Sequence, residues 1–102
     1  MNKAQYEAAV AIINADCEGT DYLFYEGKTC VVGALLRAAG VSTESLDRRT
    51  EPTIYQYDIL NYVYGLDGID LDSLMGDNDD VDDVEERRIR VGATLARIYH
   101  GD

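Results

Sequence analysis

Between Asp67 and Glu86 the chain carries ten carboxylates and no lysine or arginine: Asp67, Asp70, Asp72, Asp77, Asp79, Asp80, Asp82, Asp83, Glu85 and Glu86. The window therefore holds −10. The other 82 residues hold ten acids and nine bases, so nearly all of the net charge of −11 sits in one-fifth of the sequence. Such concentration costs self-repulsion. Three uses would offset it: holding a hard cation, meeting a basic partner surface, or staying solvated as a loop and helix start. Ile69, Leu71, Leu74 and Met75 are interspersed with the acids. That mixture predicts a loop over Leu66–Asp77 that pins its apolar residues to a core and turns its carboxylates outward.

The core must come mainly from the rest. The chain has 102 residues, 46% of them hydrophobic, with one Pro, two Cys and one His. This length fits a single compact domain, residues 1–102, whose one modest core needs no disulfide or metal staple. No apolar run approaches the ~20 residues of a transmembrane helix. Ala4–Ala15 is interrupted by Gln5, Glu7 and Asn14, unlike a secretory signal, so a cytoplasmic location is expected.

Periodicity predicts a mainly α fold of about four helices with a small β-hairpin. Tyr6, Ala9, Val10, Ile13 and Cys17 form one stripe on a helix over Lys3–Asp16, with Asn2 as cap and Gly19 as stop. Aromatic residues before Glu26-Gly27 suggest a short hairpin. Val32, Leu35, Leu36 and Ala39 define the clearest helix, from Thr29 as N-cap to Gly40 as left-handed stop. Gly33, Ala34 and Ala38 would let a neighbouring helix approach it. A short helical turn after Ser42 or Thr43 is followed by a helix over Thr53–Tyr64, with Pro52 in its first turn and Gly65 as stop. Its four tyrosines cannot all be buried, and Tyr55 and Tyr62 are candidate exposed anchors. The last helix runs from Asp80 or Val81 to Tyr99, with Asp83→Arg87 and Glu86→Arg90 as i,i+4 pairs. Acids at its N-terminus suit the helix dipole. That accounts for Asp79–Glu86 but not for Asp67, Asp70, Asp72 or Asp77.

Tests for specific chemistry return little. Calcium loops started at Asp70 or Asp77 place Leu74 or Val81 at position 5 and lack the glycine at position 6. Cys17, Cys30 and His100 make no tetrahedral zinc set, and read as two small apolar residues and a terminal imidazole. Nothing orients a Cys30–His100 dyad. Gly27-Lys28-Thr29 lacks the upstream glycine of a phosphate loop, since Tyr22 stands there. Direct nucleic-acid binding is disfavoured by the missing basic face. No cofactor is implied.

Cys30-Val-Val-Gly-Ala-Leu-Leu-Arg-Ala-Ala-Gly40 resembles the C-x-x-G-A-L-x-x-A-x-G helix of small uncharacterised bacterial and phage proteins. In that pattern an Asn-Asp pair opens the last helix, and Asn78-Asp79 is similar to it. The likeness spans about half the chain, implies a helical fold and little chemistry, and is compatible with a phage or mobile-element origin. In size and acidity the chain also resembles phage-encoded inhibitors of bacterial immunity, the anti-CRISPR and anti-restriction proteins, as a class. The leading expectation is a non-enzymatic acidic protein that occupies the basic nucleic-acid groove of a larger protein. Duplex nucleic acid carries one charge per ~1.7 Å of axis, which closely spaced carboxylates can imitate. The alternatives are a divalent-cation module on the same acids, a small enzyme built around Cys30, and a homo-oligomer (a homodimer being the simplest) joined by its tyrosine face.

Overall fold

The computed structural model describes residues 1–101. It is mainly helical, with six helices rather than four and one two-stranded antiparallel sheet. Helix α1 (Lys3–Asp16) starts in a reciprocal cap: Asn2 Oδ1 accepts from the Gln5 N–H and Gln5 Oε1 accepts from the Asn2 N–H, both at 2.8 Å. It ends at Cys17, two residues before the expected Gly19.

Strands β1 (Phe24–Tyr25) and β2 (Lys28–Thr29) pair in register Phe24↔Thr29. Glu26 and Gly27 join them with φ of 49° and 80°. Positive φ at both central positions gives the tight turn whose twist matches a hairpin. Thr29 belongs to β2 and does not cap the next helix. Its hydroxyl is buried and donates to the Leu23 carbonyl at 2.7 Å. The cap of α2 (Val31–Ala38) is Cys30, whose sulfur accepts from the Gly33 N–H at 3.4 Å.

Helix α2 is the centre of the molecule, with every residue from Val31 to Leu36 buried. Gly33 is indispensable there. A methyl group at this position would overlap the Leu23 carbonyl oxygen and the Thr29 hydroxyl. At Gly33 the close neighbour is thus the backbone ahead of β1, while helix α1 also packs closely against α2. Gly40, at φ 96°, follows the helix end as expected.

After α3 (Thr43–Leu46), capped by Ser42, helix α4 (Ile54–Asp58) is capped by Thr53, so Pro52 stands just outside it. The helix then widens to a π-turn over Ile59–Val63, closed by Tyr64 N–H to Ile59 O at 3.2 Å. Leu60 and Tyr64 face inward, and the Tyr64 hydroxyl donates to Leu35 O at 2.6 Å.

The expected acidic loop is instead helix α5 (Gly68–Asp79). Two glycines and four aspartates give it poor intrinsic propensity. It forms because its ends are fixed and Leu71, Leu74 and Asn78 are buried on one stripe. Asp67 and Asp70 make its N-terminal capping box. Helix α6 (Val84–His100) begins later than expected, at the cap Asp83, and ends at Gly101 with φ 77°. Helices α1, α2, α5 and α6 enclose one core that includes Ile13, Leu35, Leu36, Leu74, Val91 and Leu95. No helix among the described residues is long and apolar enough to cross a membrane.

Candidate functional site

Of the ten acids of Asp67–Glu86, eight are exposed and two, Asp70 and Asp77, are half-buried. They do not all share one face. Asp67 and Asp70 form the cap at one end of α5, about 15 Å along the axis from Asp80. Asp77 faces α6 and accepts the hydroxyl of Thr94. Asp72 and Asp79 lie on the opposite stripe of α5, and Oδ1 of Asp79 accepts from the Asn78 amide at 3.1 Å. Asp80, Asp82 and Asp83 occupy the α5–α6 turn and its edges, and Glu85 and Glu86 the first turn of α6. The turn therefore gathers Asp79, Asp80, Asp82, Asp83, Glu85 and Glu86. Asp83 is engaged as a cap and Glu86 pairs with Arg90 at 2.9 Å. Glu86 is the one member of the ten in a salt bridge among the described residues.

The arginines expected to offset this charge turn away from it. Arg87 does not pair with Asp83. It is buried, its Nε donates to Asn78 O at 2.6 Å and its Nη2 donates to Val81 O. Arg88 donates to Cys17 O at 3.0 Å, Asn14 O at 2.8 Å and Ala15 O at 3.1 Å. Both guanidinium groups are thus aimed at the carbonyl-rich C-terminal ends of helices, where the dipole and the orphan acceptors favour a cation.

Beside the turn lies a cleft of about 920 Å³. That is within the ~300–1,000 Å³ of small-ligand sites. One wall is a stripe of α5: Gly68, Leu71, Asp72, Met75, Asn78 and Asp79. Facing residues come from the α1–β1 loop, including Asp21 and Tyr22, from the segment ahead of α4, including Glu51 and Pro52, and from Tyr57. Leu60, Val31, Asn78 and Arg87 are among its buried lining. Here the Asn78 side chain is a structural hub. Its Oδ1 accepts from the Val31 N–H at 3.1 Å and from the Cys17 thiol at 3.4 Å. Sequence reasoning did not reveal this cleft, placed Asn78 only in the resemblance and read Arg87 as the partner of Asp83. The one signal was Asn78 in the pattern Leu71–Leu74–Asn78, a buried polar residue on an apolar stripe.

Both cysteines are free thiols. Burial, and secondarily the neighbouring Cys30, pushes Cys17 up to about 11, and burial raises Cys30 as well. Neither has the thiolate character of a nucleophile. His100 sits at the end of α6 against Tyr6 and Tyr99, so no Cys30–His100 pair is assembled. No group of three or more potential ligands for a metal ion comes together among the described residues. Tyr55 and Tyr62 are both 83% exposed and line no part of the cleft, whereas Tyr57 does.

Comparison with family models, with curated proteins and with solved structures finds no match to this chain. The two segments of the sequence resemblance nevertheless meet in space. Asn78 touches the first residue of α2, next to Cys30. Asn78-Asp79 closes α5 here instead of opening the last helix.

Proposed function

We propose that this chain is a non-enzymatic binding protein whose acidic α5–α6 turn docks onto a basic, nucleic-acid-binding surface of a larger protein. Occupying such a surface excludes nucleic acid, which is the action of an inhibitor. A host defence protein attacked by a phage or mobile element is the setting that the class resemblance suggests.

One observation carries this reading. The turn presents exposed carboxylates of which Glu86 alone meets a cation, while the adjoining Arg87 and Arg88 spend their charge on backbone carbonyls. Structural duty explains Asp67, Asp70, Asp77 and Asp83, which cap or bond within the fold. No such bond involves Asp80, Asp82 or Glu85, and of these only Glu85, in the first turn of α6, also serves the helix dipole. A dense anionic patch steers association with a basic groove and makes it strongly salt-dependent.

The test compares wild type with Asp80→Asn/Asp82→Asn/Glu85→Gln as bait against basic proteins, with duplex DNA or RNA as competitor. The reading expects capture that nucleic acid and salt both reverse and that the variant loses with its circular dichroism unchanged. Equal capture by the variant would sink it.

Self-association is a second reading with its own observation. Ile54, Tyr55 and Tyr62 on the α4 and π-turn unit are each more than four-fifths exposed. Sedimentation across a concentration series decides it: a dimer abolished by Tyr55→Ser/Tyr62→Ser supports this face, and a monomer at every concentration removes it.

A further inference from the structure

We infer that the cleft beside the acidic turn receives an arginine side chain of the basic protein partner. This rests on the docking reading above and adds the place where one residue of the partner is held. Asp21, Glu51, Asp72 and Asp79 line the cleft against a single cation, Arg87. None of the four is in a salt bridge among the described residues. Tyr57 and Met75 share the lining; they are 42% and 46% exposed and so leave apolar surface open to a ligand.

That combination selects among cations. An aliphatic stem is accommodated on Met75 and Tyr57, and a planar guanidinium both stacks on a tyrosine ring and bonds a carboxylate through two parallel N–H groups. A compact ammonium does the second less well and the first hardly at all. Outside the cleft the fold already sets guanidinium groups over aromatic rings: Arg37 lies 5.3 Å from the Phe24 ring centre and Arg48 5.5 Å from that of Tyr25. The Arg87 guanidinium is buried in the lining, held by Asn78 O, and repels a second cation, so an incoming guanidinium is met by the exposed carboxylates Asp21, Glu51, Asp72 and Asp79.

The experiment titrates the full chain with two peptides, acetyl-(Gly-Arg)4-amide and acetyl-(Gly-Lys)4-amide, and with arginine amide alone. It follows the Met75 methyl and Tyr57 ring signals by NMR and the affinity by calorimetry. The expected result is a shift of both signals with the arginine peptide. Binding should be tighter than for the lysine peptide, and about ten-fold weaker in Asp72→Asn/Glu51→Gln. If the Met75 and Tyr57 signals stay still while Asp80→Asn/Asp82→Asn/Glu85→Gln abolishes peptide binding, the cleft assignment falls and the acidic turn remains. If those signals shift while that turn variant binds like wild type, the cleft assignment stands and the turn reading falls. Equal affinity for the two peptides, or arginine amide binding as tightly as the peptide, overturns the assignment of the cleft to a partner's arginine. Absence of any binding at low salt overturns both readings.

Discussion

Arg87 and Arg88 are neighbours on α6, yet their guanidinium groups close the ends of two different helices, α5 and α1 respectively. Two adjacent side chains thereby fix three helices to one another. They also leave the acids of the α5–α6 turn without their nearest counter-charges.

Replacing each arginine should therefore act on stability through carbonyls, not through ion pairs. Arg87→Met is expected to cost about 2–4 kcal/mol, because it removes a buried charged donor and strands the carbonyls it served. Arg88→Ala should cost about 1–2 kcal/mol, since its group is half-exposed and water replaces part of what is lost. Arg90→Ala removes a solvent-exposed i,i+4 pair and should change stability by less than about 0.5 kcal/mol. Urea unfolding of the three variants gives the order directly. Equal effects would mean that Arg87 and Arg88 are ordinary surface charges.

Two glycines in helices make opposite predictions. Ala is the better helix former by about 1 kcal/mol. At Gly92 in α6 a methyl group meets nothing within 4 Å, so Gly92→Ala should gain about 0.5–1 kcal/mol. At Gly33 the same change drives a methyl into the Leu23 carbonyl, and the loss should be about 2–3 kcal/mol or more. Thermal melts by circular dichroism read both. A Gly33→Ala protein as stable as wild type would show that α2 does not approach this backbone so closely.

The parts of this fold that were legible in the sequence are those where apolar spacing agrees with a cap, stop or turn residue. Helix α2 with Gly40, helix α1 with its Asn2 cap, and the Glu26-Gly27 turn are of this kind. Helix α5 was not legible, because its local preference points away from a helix and its buried stripe contains only Leu71, Leu74 and an asparagine. The cap of α2 was displaced by one residue because a hairpin partner claimed Thr29, a long-range demand that no local pattern records. For the same reason Arg87 read as the partner of Asp83. Spacing allows that pair, but burial against the end of α5 decides otherwise. The acids themselves were plain from composition. Their division between caps, turn and cleft required the position of α5.

Asn78 should prove to be the key that locks α5 to α2. Asn78→Ala leaves the buried Val31 N–H without its acceptor and frees the Cys17 thiol. An unsatisfied buried donor costs about 1–3 kcal/mol. Asn78→Asp keeps an acceptor but places a second carboxylate beside Asp79 in a buried site, so it too should destabilise. Hydrogen exchange is the specific readout. Protection of the Val31 amide should fall in Asn78→Ala more than that of amides in the middle of α6. Uniform changes would reduce Asn78 to a space-filling role.

Stability should fall on the alkaline side. Burial lifts the Cys17 thiol from 9.0 to about 11 and the Tyr64 hydroxyl from 10.0 to about 12. Both groups are neutral when protonated. Above pH 9 the unfolded chain releases these protons while the folded chain retains them, so the unfolded state binds fewer protons and stability decreases as pH rises. The contribution is fully present below pH 9 and is lost by about pH 12. A two-unit shift corresponds to about 3 kcal/mol for each group. In Cys17→Ala the loss between pH 9 and 11 should shrink, whereas the later loss from Tyr64 persists. Urea midpoints measured from pH 8 to 11 at constant ionic strength check this. Superimposable profiles for wild type and Cys17→Ala would show that the Cys17 thiol titrates alike in the folded and unfolded chains.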